Sequence, residues 1–266
     1  MSRARQLLMG CMIAFAASLL LARVHPFGDA GLFTAKNTQA PLMEHSAVPP
    51  EARAILIAKC ADCHSMQTRT PIYGHFAPIS WLMERDILEG RKAMNLSPWD
   101  SYSADQQSVF AAKIVQETRA HAMPLLQYRM IHWSSHISDA DLRSLAQWTH
   151  GASDPAPGSM AQTASEGDPA RGKFVYEKRC TGCHAMTQDR EGPRLQGVYG
   201  RNSGEVAGFD YSSELRKAHI RWNEATLDQW LADPDTLVPG NAMSFRVVKQ
   251  QERLDLISFL KQSSGN

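Results

Sequence analysis

Two pentapeptides dominate the chemistry open to this chain: Cys60-Ala-Asp-Cys63-His64 and Cys180-Thr-Gly-Cys183-His184. Paired thiols at this spacing serve zinc, a redox dithiol or a haem. Zinc would want two further ligands at compatible spacing, and a redox dithiol would want a βαβ pattern; the sequence offers neither. The histidine directly after the second cysteine of each pair selects the third option. Two thiols three positions apart can each form a thioether to a haem vinyl group while the chain makes one turn. The next side chain then presents its imidazole to the iron from the same side. By composition, one such pentapeptide arises by chance in about one chain in a thousand of this length. The reading is two covalently attached c-type haems, with Cys60, Cys63, Cys180 and Cys183 as attachment points and His64 and His184 as proximal iron ligands. The sixth ligand decides the chemistry. A methionine closes the iron and raises its potential, which suits electron transfer, whereas an open position suits peroxide or gaseous ligands.

The rest of the chain must position these groups. Its 266 residues suffice for two domains. Lys and Arg balance Asp and Glu, 10 against 10 over 45–150 and 14 against 14 over 166–266. Neither half is a basic patch, which argues against nucleic acid as a partner. The fifth cysteine, Cys11, lies in an apolar run from Leu7 to Ala22 that follows Arg3 and Arg5. The run is long for a signal-peptide core, and Ala22-Arg23-Val24 is a poor cleavage site, so residues 1–24 read as an uncleaved membrane anchor; a cleaved signal is the alternative. Both give export, and hence a periplasmic protein, tethered to the inner membrane or soluble. Leu8-Met9-Gly10-Cys11 resembles a lipobox, but too few apolar residues precede Cys11, which reads instead as a small residue within the span.

Residues 25–44, with Pro26 and Pro41, read as a tether, 45–150 as the first haem domain, 151–165 as a small polar linker, and 166–266 as the second haem domain. The pattern is helical throughout. Helices are expected over Glu51–Lys59, over Ile79–Arg91 with Ile79, Leu82, Met83, Ile87 and Leu88 apolar, over Asp105–Arg119, and over Asp139–His150 with Ser138 as N-cap. Further helices are expected over Pro169–Lys178 capped by Asp168, over Thr226–Ala232, and over Val248–Gln262. No alternating strand pattern appears, so the fold class is all-α.

Residues 166–262 resemble class I cytochrome c of the c2/c550 type along nearly their whole length. The resemblance runs through Gly167 to Lys173, the Cys180 motif, Gly192-Pro193-Arg194-Leu195, Gly200-Arg201, Gly208 to Ser212, Trp222, Asp233-Pro234 and Pro239 to Phe245. It implies Met243 as the sixth ligand of the second haem. It implies that the carbonyl of Pro193 or its neighbour accepts from the far nitrogen of His184, and that Arg201, Tyr211 and Trp222 serve the haem propionates. It also implies that Trp230 packs beside the methionine, and that Gly172 and Tyr176 cross Leu256 and Phe259.

Residues 45–150 are similar instead to a bacterial haem-binding domain family. The shared residues are Cys60 to Ser65, Thr68-Arg69, Tyr73, Ala77 to Leu82, Asp86 to Arg91, Met94 to Trp99, and Met123-Pro124 with Tyr128. Met123 is the choice for the sixth ligand of the first haem: it precedes a proline, follows a helix and lies far downstream of His64. His121, His75, His132, Met94 and Met130 are rivals, and Arg91, Trp81 and Trp99 could face propionates or fill the core.

These readings give electron transfer between redox protein partners, as a carrier rather than a catalyst, and fit the cytochrome subunit of a respiratory oxidoreductase. The alternatives are a dihaem peroxidase or a ligand-sensing protein, either of which needs an open or opening first haem.

Overall fold

The computed structural model describes residues 3–33, 42–44, 46–152 and 165–265. Most of the linker and the middle of the tether lie outside the described residues. Among those described, the chain is all-α, with twelve helices and no strand; Asn202 and Arg221 form an isolated antiparallel bridge. Two compact units emerge: Met1–Ser46 with Arg53–Ser101, and Ala47–Ala52 with Tyr102–Asn266. The helices at 104–152, which precede the linker in sequence, thus group with the residues that follow it.

The first unit carries α1 (Arg3–Leu21), most of α2 (Pro50–Lys59), α3 (Ala61–His64) and α4 (Ile79–Ala93). Helix α1 is long and apolar enough to cross a membrane by length and composition, and none of it is buried. Its last turn meets the start of α4. Ser18 Oγ donates to the Ala77 carbonyl at 2.7 Å, the Trp81 indole N–H donates to the Leu21 carbonyl at 3.0 Å, and the Phe15 and Phe76 rings lie 5.3 Å apart. Trp81 therefore braces α1. The stretch read as a tether is partly core: Ala30 and Leu32 are buried against Ile87 of α4, and Leu42 and Met43 are buried as well. Their apolar side chains gain more from burial than a free spacer allows, at ~1.5–3 kcal/mol for each large one.

Helix α4 departs from its expected face. Its buried stripe is Ser80, Glu84, Ile87 and Gly90, while Ile79 and Leu82 are exposed. Gly90 faces the first motif; a Cβ there would sit 3.0 Å from the Cys63 carbonyl oxygen. Arg91 donates to the Ser65 carbonyl at 2.8 Å, the Ala30 carbonyl at 2.9 Å and Thr68 Oγ1 at 3.0 Å, so its guanidinium staples three segments together.

The second unit contains α5 (Ala104–Arg119), α6 (Leu126–Ile131), α7 (Asp139–Ala152), α8 (Pro169–Arg179), α9 (Ser213–Lys217), α10 (Glu224–Ala232), α11 (Pro234–Leu237) and α12 (Gln250–Ser264). Their starts are set by local chemistry. Ser103 and Gln106 form a capping box on α5, Ser138 accepts from the Asp141 N–H at α7, and Asp168 accepts from the Ala170 and Arg171 N–H groups at α8, where Pro169 needs no partner. Helices α8 and α12 cross at Gly172, where a Cβ would strike the Asp255 carbonyl and approach Phe259 Cβ to 2.8 Å. The Tyr176 and Phe259 rings meet at a tilt beside the crossing, 5.5 Å apart. Asp255, 3% exposed, ties the two helices by accepting from the Asp168 N–H at 2.8 Å and from Arg171 at 2.8 and 2.9 Å. Val175, Leu227, Leu231, Val247, Leu256 and Leu260 fill the core behind them.

Candidate functional site

In the second unit, α8 ends at Arg179 and the motif follows as one tight turn. Cys183 and His184 N–H groups return to the Cys180 carbonyl at 3.1 and 2.8 Å. Burial pushes the Cys180 thiol up to about 12 and the Cys183 thiol up to about 11.

His184 is fixed from behind. Its Nδ1 lies 2.7 Å from the Pro193 carbonyl, which can only accept, so Nδ1 carries the proton and Nε2 presents its lone pair. Burial lowers the pKa of the ring, the Pro193 hydrogen bond opposing it in part, and a lowered pKa favours the neutral ligand form. Gly192 lies against the imidazole; any Cβ there would collide with the ring.

His184 opens into a cavity of about 250 Å³. Cys180, Cys183, Arg201, Tyr211, Trp222, Trp230 and Met243 all line it, together with apolar Leu195, Leu227, Leu231 and Leu256. The methionine loop is held by Asn241, which is fully buried. Its Oδ1 accepts from the Met243 N–H at 2.7 Å, and its Nδ2 donates to the Val238 carbonyl at 2.9 Å and Asp235 Oδ1 at 3.1 Å. Gly240 makes the turn at φ +82°. Arg201 donates to the carbonyls of Gln196 and Arg194 at 3.1 Å each. Burial lowers its pKa, with Tyr211 and nearby carboxylates pulling the other way. The Tyr211 hydroxyl accepts from the Val206 N–H at 3.4 Å, and the Trp222 and Trp230 rings lie 5.3 Å apart.

One wall of this cavity comes from before the linker. Val109, Ala112 and Gln116 recur at helical spacing on one face of α5, and together with Ala120, which caps the helix, they line it. The adjoining α5 positions grip the motif's surroundings. Lys113 pairs with Glu191 at 2.8 Å, Gln116 donates to the Glu191 carbonyl at 3.0 Å, and Arg119 donates to the Asn241 carbonyl at 2.6 Å. Arg179, just ahead of Cys180, pairs with Asp105 at 2.7 Å. These partners are more than seventy residues apart in sequence, and no local pattern announces them.

The donor set in this cavity fits a c-type haem: two buried thiols and an oriented neutral imidazole lie at one end, a braced methionine also lines it, and an arginine, a tyrosine and tryptophans complete a largely apolar cradle.

The first motif repeats the turn. His64 N–H returns to the Cys60 carbonyl at 2.9 Å, and burial pushes Cys60 up to about 12 and Cys63 up to about 11. His64 Nδ1 lies 3.1 Å from the Met94 carbonyl, and burial lowers its pKa while that carbonyl and the Gly90 carbonyl raise it in part. The ring is oriented here by the exit of α4, 30 residues downstream, rather than by a Gly-Pro loop. Sequence reasoning weighed Met94 only as a rival sixth ligand and missed this backbone role. The signal available was its position just after Ala93, where a helix leaves its last carbonyls unpaired.

Met123 lies in the second unit, just after α5, with its N–H on the Glu117 carbonyl at 3.1 Å and a cis bond to buried Pro124. His121 is exposed and takes φ +56°. His132 stacks on Tyr128 at 4.1 Å, His75 faces Phe33 at 5.4 Å, and Met130 is exposed. Trp99 is buried.

Comparison with known proteins accounts for both segments. Residues 21–151 match the family described as haem-binding domain, and residues 169–264 match cytochrome c. The chain is 41% identical to a cytochrome c of Chlamydomonas reinhardtii over 106 residues, 38% of this chain and 95% of that protein. It is 42% identical to cytochrome c 2.1 of Caenorhabditis elegans over 102 residues, 37% of this chain and 92% of that protein. Cytochrome cH from Methylobacterium extorquens, a solved structure, is 38% identical, covers 36% of this chain and 99% of its own, and superimposes with a TM-score of 0.35. With His184, the Met243 loop and the aromatic residues of one cavity all gathered in residues 169–264, the chain belongs to the cytochrome c family.

Proposed function

We propose that this protein is a periplasmic electron carrier with two covalently attached haems, tethered to the inner membrane by α1, that serves redox proteins as the cytochrome subunit of a respiratory oxidoreductase. A haem c, when bound, supplies a one-electron couple at its iron. The observation that carries the reading is the second cavity, where the Pro193 carbonyl fixes the His184 ring and Asn241 holds the backbone of Met243. Ligands held in this way reorganise little when charge changes, which is what a carrier needs. The repeated turn at Cys60–His64, with its own oriented imidazole, supports a second haem, for which Met123 is the proposed sixth ligand. The apolar length of α1 supports the tether.

Haem content and ligand spectra test this together. The purified holoprotein should contain two haems per chain, both low-spin. Met243→Ala should remove one part of the red methionine-to-iron charge-transfer absorption, and Met123→Ala the other. One haem per chain would overturn the dihaem reading. A Met123→Ala spectrum identical to wild type would remove Met123 as a ligand, and peroxide turnover by the reduced protein would replace the carrier with a peroxidase.

A further inference from the structure

Helix α4 buries a carboxylate on its core stripe. Glu84 lies between Ser80 and Ile87 and is fully buried. Its Oε1 meets His25 Nδ1 at 2.6 Å, while Oε2, also buried, has no hydrogen-bond partner among the described residues. An uncompensated buried carboxylate oxygen is costly, so a group in this position calls for a cation. The guanidinium of Arg91, about two helical turns along α4, is already engaged by Ser65, Ala30 and Thr68.

We propose that His25, Asp29 and Glu84 form a binding site for a divalent transition-metal ion, with zinc the best fit. One ligand atom from each residue lies within 4.8 Å of the other two. The segment between His25 and Asp29 is shaped for this. The Gly28 N–H returns to the His25 carbonyl at 3.1 Å, and Gly28 takes φ +109°, a conformation that favours glycine. Asp29 Oδ1 accepts from the Gly31 N–H at 2.7 Å, which fixes the side chain. A neutral imidazole and two carboxylates sum to two negative charges, which a divalent ion cancels. One nitrogen and two carboxylate donors suit zinc, which takes three protein ligands and a water, more than calcium, which collects carbonyl and carboxylate oxygens in larger number. Zinc bonds of about 2.0–2.2 Å set ligand atoms about 3.4 Å apart. The His25–Glu84 pair would open by about 1 Å and the wider separations would close by about 1.5 Å, movements within side-chain reach. The ion would clamp the segment leaving α1 to α4, the helix whose Gly90 abuts Cys63.

Zinc binding by the full-length holoprotein in detergent tests the site. After chelator treatment and dialysis, titration with zinc chloride should fill one site per chain at micromolar concentration or below and raise the thermal midpoint. Asp29→Asn, a change at an exposed residue, should weaken binding at least tenfold and abolish the thermal shift without altering the haem spectrum. His25→Gln should do the same, as should Glu84→Gln if it loads haem normally. Equal zinc affinity in wild type and Asp29→Asn would overturn the proposal. So would wild type that takes up no zinc, which would leave His25 and Glu84 as a simple hydrogen-bonded pair.

Discussion

The two Cys-x-x-Cys-His turns are built alike and framed differently. Each buries its thiols and points its histidine by a backbone carbonyl, but the second takes that carbonyl from nine residues downstream and the first from thirty. The second motif has its methionine loop, cradle and oriented histidine inside one compact unit, whereas His64 belongs to the first unit and Met123 to the second. Equal pentapeptides therefore do not make equal sites. The turn itself is local, while the orientation of the ring and the residues that face it are set by whatever the surrounding fold brings up.

The comparison can be broken most decisively at the thiols. Replacing Cys180 and Cys183 by Ser should remove one covalent haem of two, and replacing Cys60 and Cys63 the other, read as pyridine haemochrome per chain. If either pair could be changed with no loss of haem, the likeness of the two turns would be superficial. Next come the close approaches. Gly172→Ala drives a methyl into the Asp255 carbonyl and should cost about 1–3 kcal/mol, seen as a lower denaturation midpoint of the second unit. Gly90→Ala, with 3.0 Å to the Cys63 carbonyl, should cost less.

A third test concerns charge. Burial alone would raise the pKa of Asp255, but the hydrogen bonds from Arg171, Asp168 and Gln251 outweigh it and hold the carboxyl below its usual range. Its folded value is thus lower than its unfolded value of about 3.9, so its contribution is full above about pH 4 and is lost as the pH falls through the folded value. Asp255→Asn should lower stability by about 1–2 kcal/mol at pH 7 and flatten the loss on acidification below about pH 4, measured by denaturant titration across that range. The smallest effect is expected at the partly exposed Lys113–Glu191 pair: Lys113→Ala should cost about 0.5 kcal/mol or less.

The sequence was most legible where structure is local. Helices α4, α5, α7, α8 and α12 could be read from periodicity and caps, because Ser138 and Asp168 act within their own first turns. Helices α3, α6, α9 and α11 span four to six residues, too few for a periodic signal, and were not anticipated. The second cradle was legible through family resemblance, since its residues recur in a known order. The Met94 carbonyl on His64 escaped notice because a backbone group has no residue-type signature. The buried stripe of α4 was misjudged because Glu84 and Ser80, polar by type, face inward while Ile79 and Leu82 do not. The burial of Leu32 within a presumed spacer depends on Ile87, more than fifty residues on, which no window on the sequence joins to it.

The α5 wall of the second cavity has one more implication. A reader cutting this chain at its polar linker would expect a free-standing module from residue 165 onward. Such a fragment would lose the methyl groups of Val109 and Ala112 from beside Cys180 and Cys183, together with the Arg119 hold on the methionine loop. Water would stand where hydrocarbon now stands, and the dielectric around an iron held there would rise. A more polar surround favours the more highly charged oxidation state, so the fragment should be harder to reduce than the whole. The gene's apparent seam is thus not where the solvent boundary runs.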